Sequence, residues 1–135
     1  MTPHLSDSDR LLRLALRGNA GFSSLCAGLC LLAAKPIAAT MGIPDPTWLY
    51  GLGVQLLVFG AFLVWLSTRP RIAPAIAWGV VVADIAWVVG TLPLVVADLL
   101  TTRGIWIALG IADAVALFAI IQAVGVRRMQ RSLRA

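Results

Sequence analysis

Residues 72–94 read IAPAIAWGVVVADIAWVVGTLPL, a run in which Asp84 is the only charged side chain. At about 1.5 Å per residue, a helix of that length covers the ~30 Å hydrocarbon core of a bilayer. The run is too long for a strand and has none of a strand's in-and-out alternation. Three more apolar windows lie around it, at about 12–34, 48–66 and 104–126. The chain as a whole is 60% hydrophobic and 13% charged over 135 residues, with a mean hydropathy of +0.92. A soluble domain of this length needs more polar surface than that. In lipid every backbone group needs an internal partner, and helices provide it. The expected fold is therefore all-α: one integral-membrane domain, 1–135, folded as a bundle of four transmembrane helices. Residues 1–10 form a polar leader, in which Ser6 or Asp7 can cap the first helix, and 127–135 form a basic tail.

The formal net charge of +5 suggests nucleic acid at first sight, but its distribution excludes that reading. Nine of the eleven basic residues fall on one side of the four windows: Arg10, Arg13, Arg17, Arg69, Arg71, Arg127, Arg128, Arg131 and Arg134. Only Lys35 and Arg103 fall on the other. The positive-inside rule then predicts a multi-pass protein of a bacterial inner membrane with both termini in the cytoplasm. A cleaved signal peptide over 1–39 is the rival reading. Its apolar run exceeds the usual ~7–15 residues, and cleavage would place Arg69 and Arg71 on the wrong side.

Between the windows, 35–46 carries Pro36, Pro44, Pro46 and Gly42, and reads as a loop with an apolar middle resting on the membrane interface. Residues 67–71 read as a tight turn that makes the second and third helices antiparallel neighbours. Pro74 suits a first helical turn, whereas Pro93 predicts a kink or an end near Val89. Small residues at four-residue spacing mark packing faces: Ala20, Ser24 and Gly28; Ala75, Gly79 and Ala83; Ala108, Ala112 and Ala116. One such stripe is expected to be left over for a second copy or another membrane protein. Cys26 and Cys30, one helical turn apart, are too far apart for a disulfide and read as packing residues.

Counted from the expected helix ends, Asp84 and Asp113 both fall near the membrane midplane on consecutive helices, with no cation at that depth. A lone ionised carboxylate there is costly. Two carboxyls sharing a proton, an aspartate bonded to an asparagine or glutamine, or the indole N–H of Trp87 would each lower that cost. The candidate proton- or ligand-binding set is Asp84, Asp113, Gln55, Trp87 and Asn19. These groups read either as glue between helices or as a site for a proton or cation. Gln122 is assigned no role.

No nucleophile has a base beside it, no His/Cys cluster can hold a metal and no Gly-rich loop can cradle phosphate, so no enzyme, metal or cofactor is expected. Two functions remain. One is an accessory or interaction subunit of a membrane complex. The other is a small oligomeric carrier, linked to protons or cations through the aspartates. The first half of the chain also resembles the DoxX-like group of small four-helix bacterial membrane proteins. The match lies in Arg13 to Gly28 with Phe22, in Met41-Gly42-Ile43-Pro44, and in Leu63 to Leu66 followed by Ser67-Thr68-Arg69-Pro70. That resemblance implies an accessory role beside respiratory or redox enzymes. The sequence departs from the group at Gln55, where a glutamate is common.

Overall fold

The computed structural model describes residues 7–135 as five helices: α1 Asp7–Leu32, α2 Ala34–Met41, α3 Thr47–Ser67, α4 Pro74–Val96 and α5 Thr102–Arg134. Three of them, α3, α4 and α5, are long and apolar enough to cross a membrane. Helices α1 and α2 meet that standard only together, as a pair bent by 95°, so the spans number three, or four if the bent pair is one. Arg17, Asn19, Ser23 and Ser24 dilute the apolar character of α1, which is why it does not qualify alone. Of the expected leader, residues 1–6, including the proposed cap Ser6, lie outside the described residues. Residues 7–10 are already helical.

Local chemistry accounts for the ends. Asp7 and Asp9 sit in the first turn of α1, where the helix dipole favours negative charge. Pro74 occupies the start of α4, where its missing N–H is not needed. The Thr101 hydroxyl accepts the Gly104 N–H at 3.0 Å and caps α5, whose last turn carries Arg131 and Arg134. Before α3, Asp45 Oδ1 accepts the Thr47 N–H at 2.9 Å. That bond, joined by the Thr47 side chain, holds the exposed Asp45 carboxyl below the usual carboxylate range.

Three local readings change. The expected loop 35–46 contains α2, which is helical despite Pro36 because the proline falls in its first turn. Gly42 closes α2 at φ 79°, where its N–H reaches the Ala38 carbonyl. Of the kink or end expected at Pro93, the end does not occur: α4 runs through Pro93 to Val96, and Asp98 at φ 55° turns the chain back toward α5. Helix α5 extends to Arg134, eight residues past its expected end, and takes up most of the supposed tail.

Helix α1 is the hub, packed antiparallel against both α3 and α5, while α4 packs on α5. The closest approaches occur at glycines. A Cβ on Gly60 would lie 2.7 Å from Ser24 Oγ, and one on Gly125 would lie 3.1 Å from the Leu12 Cα. These contacts place the start of α1 and the end of α5 at one end of the molecule, with the α3–α4 turn. There Leu12, Leu16, Leu63, Leu66, Val126 and Met129 form a closed apolar core. Elsewhere large apolar side chains such as Leu25, Ile85, Leu117 and Ile120 point outward, as they do when the surrounding solvent is hydrocarbon.

The expected pairing of α3 with α4 does not occur: among the described residues the two helices make no close backbone approach. Gly53 and Gly60 draw α3 onto α1, whereas the Trp78 indole, donating to Gln130 Oε1 at 3.4 Å, ties α4 to α5. Arg13 holds the turn between them, donating from Nη1 to the Ser67 carbonyl at 2.6 Å and from Nη2 to that of Pro70 at 3.3 Å. The two helices are thus joined at one end and separated by a groove along their length.

Candidate functional site

Asp84 sits on the inward face of α4 and is only 3% exposed. Its Oδ2 accepts a 2.7 Å hydrogen bond from Asn19 Nδ2 of α1, itself 1% exposed. Ser23, one turn along α1, donates to Asn19 Oδ1 at 3.3 Å and so turns the amide's N–H2 toward the carboxylate. Helices α1 and α4 have no close backbone contact, and this side-chain relay spans the gap between them alongside the apolar core to which both contribute.

From α5, Gln122 reaches the same place. It is wholly buried and its amide lies beside the Asp84 carboxylate. Yet neither Nε2 nor Oε1 makes a hydrogen bond of good geometry with any described residue. A buried amide without a well-formed bond is an expensive feature, and the polar group this one faces is the Asp84 carboxylate.

The relay lies at one end of a cavity of about 460 Å³, within the range of small-molecule sites. Its walls come from α1, α3, α4 and α5 and include Phe22, Phe59, Phe62 and Trp87, with Cys26 and Cys30 farther along α1. Gln55, Phe62 and Ala83, on the facing edges of α3 and α4, line the cavity and are also exposed, so it opens between those two helices. Both cysteines are free.

Of the residues singled out from sequence, Asn19 and Asp84 are in contact, and Gln55 and Trp87 line the cavity. The Trp87 indole does not donate to the carboxylate; Asn19 does. Asp113 does not join the set. It is exposed on the outer face of α5, nine residues from Gln122, which at 100° per residue is the opposite side and about 14 Å along the axis. The misplacement has a simple cause. Counting inward from Gly104 puts Asp113 at the middle of a ~30 Å span, but α5 runs 33 residues from Thr102 to Arg134, longer than such a span, and the residue that meets Asp84 lies farther along it, at Gln122. That glutamine is what sequence reasoning missed, although its place among Ala119, Gly125 and Val126 was a usable sign of an inward face.

No family model, curated protein or solved structure matches this chain. The likeness to the DoxX-like group therefore rests on its few residues alone.

Proposed function

We propose that this is a non-enzymatic membrane protein that takes a small lipid-soluble solute from the bilayer into the groove between α3 and α4. Asp84 is the group that exchanges a proton or cation there, as in a small carrier. The observation behind this reading is the buried Asp84–Asn19 pair at the floor of a 460 Å³ groove that opens sideways between two apolar helices. A polar relay that served only to tie helices would be better packed over than left lining an open space.

In this reading α1 with α2 is one span, making four, and both ends lie on the cytoplasmic side of a bacterial inner membrane. The support is the charge split: nine of eleven basic residues gather at the end shared by the α1 start, the α3–α4 turn and the α5 end. A reporter active only in the cytoplasm, fused after Ala135, should be active; a silent fusion in intact, expressed protein overturns the orientation.

The groove itself is tested with N-phenyl-1-naphthylamine, a neutral apolar probe. Native mass spectrometry of the purified chain should show one bound copy. Ala83→Trp, which fills the groove from an exposed position on α4, should abolish it. Equal binding by the filled variant would mean that the probe sits elsewhere and would defeat the reading.

A specific observation also favours the accessory reading. Asp113 is exposed on the outer face of α5, and a carboxylate there costs free energy against hydrocarbon. Ala75, Gly79 and Ala83 form an exposed small-residue stripe on α4. A second copy or another membrane protein covering these faces would relieve the cost. Cross-linking through Asp113→Cys in native membranes should trap such a neighbour, and a strictly monomeric product would count against it.

A further inference from the structure

Among the described residues, the groove holds a carboxylate and no built-in counter-ion. Besides Asp84, the titratable groups facing it are the Cys26 and Cys30 thiols of α1, while α3 and α5 contribute none. Arg17, two residues before Asn19, is exposed and lies outside the lining. Among the described residues only Asn19 donates to the carboxylate with good geometry, through Oδ2 alone. The Gln122 amide beside it is wholly buried and makes no hydrogen bond of good geometry with any described residue.

The walls add a second kind of complementarity. Phe22, Phe59, Phe62 and Trp87 line the space that Asp84 faces. Aromatic faces attract organic cations, most strongly where water is excluded. A neutral guest gains nothing from the carboxylate, and an anion is repelled by it. We propose that the groove takes a lipophilic organic cation, an ammonium or phosphonium head on an apolar body, in exchange for the proton on Asp84. Each cation that binds sends one proton from the carboxyl oxygen to water, so the charge inside the groove is unchanged by the exchange. This inference rests on the groove being the binding site proposed above.

The test uses the full purified chain in detergent with three probes: tetraphenylphosphonium, its isosteric anion tetraphenylborate, and neutral N-phenyl-1-naphthylamine. Tetraphenylphosphonium should bind with release of one proton, and tetraphenylborate should not bind. Acidification should weaken the phosphonium by up to about tenfold per pH unit once the carboxyl is protonated, since the proton competes for one site. Asp84→Asn should lose roughly tenfold or more of the phosphonium affinity, and all of its pH dependence, while keeping the neutral probe. Trp87→Leu, which leaves the relay intact, should weaken the phosphonium several-fold more than the neutral probe. That variant carries the test if Asp84→Asn does not fold. If the neutral probe binds but phosphonium and borate bind alike, or Asp84→Asn changes nothing, the cation inference is overturned and the groove reading stands. If none of the three probes binds, the groove reading fails and takes this inference with it.

Discussion

Gln122 shows why a residue can matter and still be invisible in a sequence. As an isolated polar letter near an expected helix end it could be assumed to reach water. The structure puts it wholly inside, beside the Asp84 carboxylate, with neither amide atom in a hydrogen bond of good geometry with a described residue. Removing an unsatisfied amide usually stabilises, because the desolvation cost of about 1–3 kcal/mol goes with it. Gln122→Met, close in shape, should therefore leave the melting temperature in detergent unchanged or raised. A clear drop would show that the amide supports the Asp84 carboxylate beside it. The inward face of Asp84, by contrast, was legible, because a carboxylate in an apolar run has few places to go; its partner was not, since Asp113, Gln55, Trp87 and Asn19 all qualify by sequence and Asn19 is the one that bonds it. Asp113 has the same signature and faces outward, so that reasoning holds for one acid and fails for the other. Gly104 belongs to this scale too. A Cβ there would lie 2.6 Å from the Met41 carbonyl oxygen, which is backbone and cannot swing away. Gly104→Ala should cost about 1–3 kcal/mol, read as a lower melting temperature, because the start of α5 must back off from α2.

At the level of elements, three of the four apolar windows answer to helices long and apolar enough to cross a membrane, and the helix ends were not legible. Helix α2 reads as loop in the sequence because three prolines and a glycine cluster around it, yet Pro36 sits where a proline is harmless and Gly42 sits where a left-handed residue is wanted. The neighbour relations depend on glycine contacts that periodicity does not order, since Gly60 and Gly79 look alike in sequence. A Cβ on Gly60 would run into Ser24, whereas one on Gly79 would meet no described neighbour within 4 Å. Arg13 deserves testing as the strap over the α3–α4 turn, since it donates to two carbonyls there. Arg13→Met keeps the stem and should cost about 1 kcal/mol at this part-exposed position, with faster amide exchange in the turn. The start of α3 makes a pH-dependent prediction. The Asp45 carboxyl is held below its unfolded value by the Thr47 N–H. Its contribution is therefore fully present above the unfolded value, about 3.9, and is lost as pH falls through the lower folded value. The Thr47 amide resonance should titrate only below about pH 4, and Asp45→Asn should remove that titration.

For the molecule as a whole, the consequential feature is an absence of packing. Helix α3 follows α1, α4 follows α5, and the turn strapped by Arg13 keeps their near ends together while the rest stays apart. Helices in lipid gain little by closing over an apolar gap, because acyl chains fill it as well as leucines do. An opening to one side can therefore persist in a membrane where water would force it shut. Acyl chains should then reach the groove walls. In a variant retaining Trp87 as its one tryptophan, reconstituted with lipids brominated along their chains, the fluorescence of this half-buried indole should be quenched. Tetraphenylphosphonium should relieve the quenching by displacing the chains, and should also slow maleimide labelling of Cys26, which lines the same space. Cys30 is the more buried thiol and should label more slowly throughout. Quenching that is unaffected by the phosphonium would mean that Trp87 meets lipid from outside, with the groove closed in the bilayer. A closed groove would leave Asp84 and Asn19 as a bond between α4 and α1 and nothing more.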